Sequence, residues 1–232
     1  NPIHQRKRYS LSKQLQPYTI RCLLLIILVA QINTFKLNGQ SCVCATTPIV
    51  MTPTWSGPTT VSGQCFNING TVNIPISVTL INCQFIMSPN AQINVTGAGT
   101  ILTANGCCFK GTTALWQTID IAVGSNLVMT NCMVQDASYG LTLHQQFSTA
   151  PQSQIVISGT SFYNNLIGIR TPWTSYGQTG TMRFILTNCE IYGNGGPLLG
   201  TSSHPYYGID MSNLVMIDYT SNSGLNRIHD VS

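Results

Sequence analysis

Charge is what this 232-residue chain has least of. Only 7% of its side chains are Asp, Glu, Lys or Arg, against roughly 25% in an ordinary soluble domain. That excludes a surface of ionic helices and argues against an enzyme rich in acid-base groups. The basic residues are also unevenly placed: Arg6, Lys7, Arg8, Lys13, Arg21 and Lys36 precede Ser41, with no acid among them. Ten less those six leaves four basic against six acidic residues from Ser41 onward, so the overall +4 becomes −2 there. A basic stripe for nucleic acid is therefore not expected. No apolar run approaches the roughly 20 residues of a spanning helix, and beyond the first 40 residues no window repeats with a helical period. A His cluster, an Asp-Asp pair and a Gly-x-Ser-x-Gly elbow are all missing, so neither a metal site nor a cofactor is expected.

What is present begins with a leader. Arg21 is followed by nine apolar residues, Cys22 to Ala30, behind a basic, acid-free stretch and ahead of a polar one. This order of basic, apolar and polar segments reads as a signal peptide over 1–40, which places the mature chain outside the cell or on its surface. Ser41 to Pro58 reads as a short lead-in linker. In an exported chain, nine cysteines invite disulfides, and Cys42, Cys44 and Cys65 suit a local N-terminal bridge.

The decisive feature is a repeat. Asn82-Cys83, Gly106-Cys107, Asn131-Cys132, Gly159-Thr160 and Asn188-Cys189 each follow a β-rich run and precede, one residue on, an apolar side chain. The steps between the Cys or Thr positions are 24, 25, 28 and 29 residues. Each period carries further strand signals, such as Gly140-Leu141-Thr142-Leu143, Gly168-Ile169-Arg170-Thr171 and Gly208-Ile209-Asp210-Met211. Three short strands per period make one coil of a solenoid, with equivalent residues stacked about 4.8 Å apart. Cys83, Cys107, Cys132, Thr160 and Cys189 then form one inward ladder, the thiols acting as small buried hydrophobes. Leu80, Leu102, Met129, Ile157 and Leu186 form or adjoin a second. Asn82, Asn131 and Asn188, with Gly106 and Gly159, occupy the bend, where a positive φ suits Asn and Gly.

The Asn-Cys corners and Gly-apolar strands resemble the right-handed parallel β-helix (pectin-lyase-like) superfamily. Leu115-Trp116 through Gly140-Leu141 is similar to β-helix segments of large secreted bacterial surface proteins. The resemblance covers roughly residues 60–232. It implies an all-β, right-handed, single-stranded parallel β-helix of about six coils over 59–232, preceded by a signal-peptide helix, with further coils or a cap expected after Ser232. The superfamily hosts lyases, hydrolases, adhesins and stalks, so fold alone assigns no activity.

Candidate chemistry lies on the Gly-apolar strands and the insertions beside them. His144 to Ser153, Thr171 to Thr181 and Gly193 to Tyr206 are expected to cluster on one side. They bring Phe147, Trp173, Tyr176, His204 and Tyr206, with Tyr207 next to the last. Aromatic rings beside neutral polar groups suit sugar faces and hydroxyls. Aligning the strands puts Thr142, Arg170 and Asp210 at one outward position, with His144 over Pro172 and Ser212. Arg170, Asp210 and His144 are the candidates for catalysis. Glycoside hydrolysis usually needs two carboxylates across one bond, and the six acids after the leader are scattered by coil phase. The sequence therefore favours a non-catalytic exported scaffold or adhesin contacting polysaccharide or a cell-surface glycan. A polysaccharide lyase or glycoside hydrolase is the alternative.

Overall fold

The computed structural model describes residues 42–144, 153–172, 180–194, 196–211, 214–220, 226–229 and 231. The leader lies outside the described residues. Every regular element described is a β-strand, and the strands form three parallel sheets. The first sheet holds β2 (Thr60–Ser62), β5 (Val78–Ile81), β8 (Ile101–Asn105) and β11 (Asn126–Thr130), then β14 (Gln154–Ser158), β17 (Gly180–Thr187) and β20 (Leu214–Thr220). The second starts with β1 (Ile49–Val50), β3 (Cys65–Ile68), β6 (Gln84–Met87) and β9 (Cys108–Gly111). It continues through β12 (Met133–Gln135), β15 (Ser161–Tyr163), β18 (Glu190–Tyr192) and β21 (Arg227–His229). The third comprises β4 (Thr71–Ile74), β7 (Gln92–Val95), β10 (Thr118–Ile121), β13 (Tyr139–Leu143), β16 (Ile167–Thr171) and β19 (Tyr207–Met211). The chain visits the sheets in turn, and each strand pairs with its counterpart one coil away. This is a parallel β-solenoid.

Alternation builds the core. In β5, for example, Val78 and Leu80 are buried while Thr79 and Ile81 are half-buried. Inward positions therefore stack in columns, such as Val72, Ile93, Ile119, Leu141 and Ile169 in the third sheet. In the second sheet Phe66, Phe85 and Phe109 stack ring on ring, with centroids 5.1 and 4.6 Å apart. Trp55 packs edge-on against Phe66 at 5.8 Å, closing the N-terminal side of that column.

One expected column needs correction. Leu80, Met129, Ile157 and Leu186 do stack, but Ala104 stands between Leu80 and Met129. Leu102 belongs to the neighbouring column, between Val78 and Leu127. The corner fixes this register, because each member of the column lies three residues before its Cys or Thr.

The corner itself is as expected in conformation: Asn82, Asn131, Asn188, Gly106 and Gly159 all have positive φ, joined by Gly63. Its thiols do more than fill space. Cys83, Cys107, Cys132 and Cys189 are free and buried. Each donates to a carbonyl of the preceding coil, namely Val61, Leu80, Ala104 and Ile157, at 3.4–3.6 Å. In return the Cys107 N–H donates to Cys132 Sγ, and the Cys132 N–H to Thr160 Oγ1. Asn226 serves as a further rung, accepting from the Cys189 N–H and donating to Leu186 O, both at 2.9 Å. Strand pairing lapses at a bend, and these side chains take over the backbone groups it would otherwise strand. Asn165 does the same at the next corner, between Val134 O and the Ala137 N–H.

Two disulfides fasten the lead-in. Cys44 pairs with Cys65, a local bridge of the expected kind. Cys42 pairs instead with Cys108, which is adjacent to the ladder on the outer side of the second sheet. Ile49 and Val50 add a short strand beside β3, so this stretch is packed against the solenoid.

Candidate functional site

The outward face of the third sheet collects the chemistry. Register aligns Asn73, Asn94, Asp120, Thr142, Arg170 and Asp210 in one row. The expected trio of Thr142, Arg170 and Asp210 thus shares a position, and the row extends three coils further back. The strand pattern of one apolar, one polar and one apolar residue in Val72-Asn73-Ile74, Ile93-Asn94-Val95 and Ile119-Asp120-Ile121 is what carries that extension.

At the early end the row is a hydrogen-bonded network. Asn94 Nδ2 donates to Asn73 Oδ1 at 3.1 Å, and Gln92 Nε2 donates to Asn94 Oδ1 at 2.5 Å. The same Gln92 amide reaches Asp120 Oδ2 at 3.3 Å. His144 Nε2 closes the network at 2.9 Å from Asp120 Oδ1, with the imidazole 40% exposed. His144 lies two residues past Thr142 and so at the level of Pro172, Ser212 being outside the described residues, and its imidazole turns toward the preceding coil. The reason is local. His144 is the first residue past β13, and its N–H bonds to Ile121 O, drawing it toward the end of β10. Asn94, Thr96, Asp120, Ala122, Val123 and His144 line an open groove of about 450 Å³.

The later end is built differently. Thr142 is covered, its hydroxyl 3.0 Å from that of Thr118. The Arg170 guanidinium lies 3.5 Å over the Tyr139 ring, and its buried Nε has no hydrogen-bond partner among the described residues. Asp210 is the register partner of Arg170 on β19. Tyr206 and Tyr207 meet edge to face at 4.4 Å, both strongly exposed. The Tyr206 hydroxyl raises the Tyr207 phenol above its ordinary value, and Asp210 adds to the rise. His204 is exposed nearby in sequence. Phe147, Trp173 and Tyr176 lie outside the described residues.

The insertions do not all leave from one edge. Those after β13 and β16 depart where the third sheet ends, whereas Gly193 to Tyr206 enters β19 from the second sheet. Part of this last loop is pinned to the corner around Ala114: Leu198 is buried, and a Cβ on Gly200 would lie 2.8 Å from Thr113 O.

Two further features were not anticipated. On the outer side of the second sheet, Tyr163, Tyr192 and His229 stack at 4.8 and 5.2 Å, with His229 Nε2 3.1 Å from Glu190 Oε1. Tyr163 and Tyr192 are tilted by 41°, and only Tyr192 and His229 lie face to face, at 18°. Asp136, 5% exposed at a positive-φ corner, has its carboxyl pushed up to about 6 by burial, despite the Gln135 amide and the Lys110 charge. Among the described residues no three metal-ligating side chains converge.

The fold defines a parallel β-solenoid with a polar outer row. Compared with known proteins, the chain matches no family model, no curated protein and no solved structure.

Proposed function

We propose that this chain is a non-catalytic, exported β-helix scaffold that holds an extended glycan along the outer face of its third sheet. The in-register row from Asn73 to Asp210 is the observation that carries the reading. Amides and single charges spaced about 4.8 Å apart, on either side of the covered Thr142, suit a chain of regularly spaced hydroxyls lying along the axis. The exposed pair Tyr206 and Tyr207 beside it supplies apolar contact of the kind sugar faces need. A relationship to the pectin-lyase-like superfamily, and to bacterial surface proteins, is consistent with these strands and corners.

The alternative is a glycoside hydrolase or polysaccharide lyase, favoured by the 2.9 Å contact of His144 with Asp120 in an open groove. Spacing argues against paired-carboxylate hydrolysis on this row. Asp120 and Asp210 are three coil steps apart, about 14 Å, beyond the roughly 5–9.5 Å such pairs span.

The test is to incubate the protein with a panel of acidic and neutral polysaccharides, following both retention and chain length. Retention without shortening, weakened by Trp173→Ala or Tyr206→Ala, is expected. Cleavage abolished by His144→Ala or Arg170→Ala overturns the scaffold reading in favour of the enzyme, and absence of retention leaves a stalk.

A further inference from the structure

The two ends of the outer row differ in what they can accept. At the later end the one cation, Arg170, is committed to the Tyr139 ring face. At the early end the groove of about 450 Å³ has a carboxylate, Asp120, in its wall. That volume lies within the range of small-molecule sites, roughly 300–1,000 Å³.

The groove is also held ready. Each carboxylate oxygen can accept more than one hydrogen bond. His144 occupies one position on Oδ1 and Gln92 one on Oδ2, so both oxygens retain acceptor capacity while their direction is fixed. Gln92 is itself bonded to Asn94, and Asn94 to Asn73, which removes rotamer freedom before a ligand arrives. The opposite requirement, an apolar wall, is met by Ala122 and by Val123, which is 47% exposed. A carboxylate flanked by amides reads adjacent hydroxyls, whereas an acidic sugar brought beside it meets like charge in a partly desolvated site.

From this we infer that the groove lined by Asn94, Asp120, Val123 and His144 is a subsite for one neutral sugar residue and discriminates against uronate. The inference rests on the glycan-binding reading above and sharpens it: the scaffold selects neutral chains.

The experiment is titration calorimetry on the intact chain with cello-, manno- and galacto-oligosaccharides, and with oligogalacturonate as the acidic probe. At least one neutral probe is expected to bind ten-fold or more tightly than the acidic one. Val123→Asp, at an exposed position, and Asn94→Ala are each expected to weaken neutral binding five-fold or more, with circular dichroism unchanged. Asp120→Asn, which keeps an acceptor but removes the charge, is expected to narrow the neutral-to-acidic ratio at least three-fold. Tighter binding of oligogalacturonate by the unmodified chain overturns the inference. So does neutral binding that survives Val123→Asp and Asn94→Ala but is lost with Tyr206→Ala; that result moves the sugar elsewhere and leaves the glycan scaffold standing. Absence of binding to every probe and to the polysaccharide panel overturns both.

Discussion

Asp136 gives the most quantitative test of the fold. Its carboxyl is buried at the corner after β12, where φ is +61°, and sits near 6 instead of 3.8. A difference of about 2.2 in pKa at about 1.4 kcal/mol each comes to ~3 kcal/mol. The sign follows from the direction of the shift. Below the unfolded value the group is neutral in both states and stability is intact. Between about 3.8 and 6 the folded chain binds the extra proton, so stability falls as pH rises. Above about 6 the loss is complete. Asp136→Asn removes this penalty while tolerating the same backbone, as Asn164 already does one coil later with φ 51°. The attraction of Lys110 and the bond from Gln135 to the charged form are already contained in that net shift, so they take nothing further from the gain. We expect the Asn variant to be about 3 kcal/mol more stable at pH 7.5 and no more stable near pH 3.5, by urea denaturation of both chains at each pH. Other titrating groups cancel in that difference. A gain of equal size at both pH values, or destabilisation at pH 7.5, would refute the reasoning.

Other perturbations probe the corners and columns. At Cys132, Thr is expected to be tolerated within about 1 kcal/mol, as Thr160 occupies the next rung, whereas the isosteric Val should cost about 2 kcal/mol by leaving the Cys107 N–H and Ala104 O unmet. Equal denaturation midpoints for the two variants would show that the ladder is packing alone. Gly168→Ala puts a Cβ 2.5 Å from Gly208 O and 2.7 Å from Ile191 Cγ2, so a loss of about 1–3 kcal/mol should lower the melting temperature by several degrees. Gly63→Ala, with open space around it, should cost only the backbone strain of its positive φ, about 1 kcal/mol. Replacing Cys42 and Cys108 together by Ser opens a bridge of sequence separation 66 and is expected to cost about 4 kcal/mol in the denaturation midpoint.

The solenoid was legible in the sequence because its corner is chemically narrow. A bend at positive φ followed by a buried small side chain admits Asn or Gly and then Cys or Thr, and that pair recurs visibly. The same pair, used as a ruler, separates Ala104 from Leu102; hydrophobicity alone does not, since both are buried and apolar. The outer row of the third sheet was legible at Thr142, Arg170 and Asp210, where a preceding Gly marks each strand. Those glycines are required by close approach, since side chains there would strike the next strand and the second sheet's inner column. The earlier strands lack that mark, so no such glycine aligns Asn73, Asn94 and Asp120 with the rest of the row. The pairing of His144 with Asp120 depends on how the chain leaves β13, a turn that no pattern of residue types specifies. The pairing of Cys108 is not visible in the repeat for a related reason: its neighbour Cys107 satisfies the repeat, while its own partner lies 66 residues away.

The corner relay runs in one direction. Cys132 answers the backbone of the coil holding Ala104 and Cys107, and Asn165 answers Val134 and Ala137 of the coil before it. At these two corners the backbone of one turn is finished by side chains that arrive with the following turn. A coil that lacked its successor would leave those N–H and C=O groups to water. Such a coil would have its strands in place and its corners still wet.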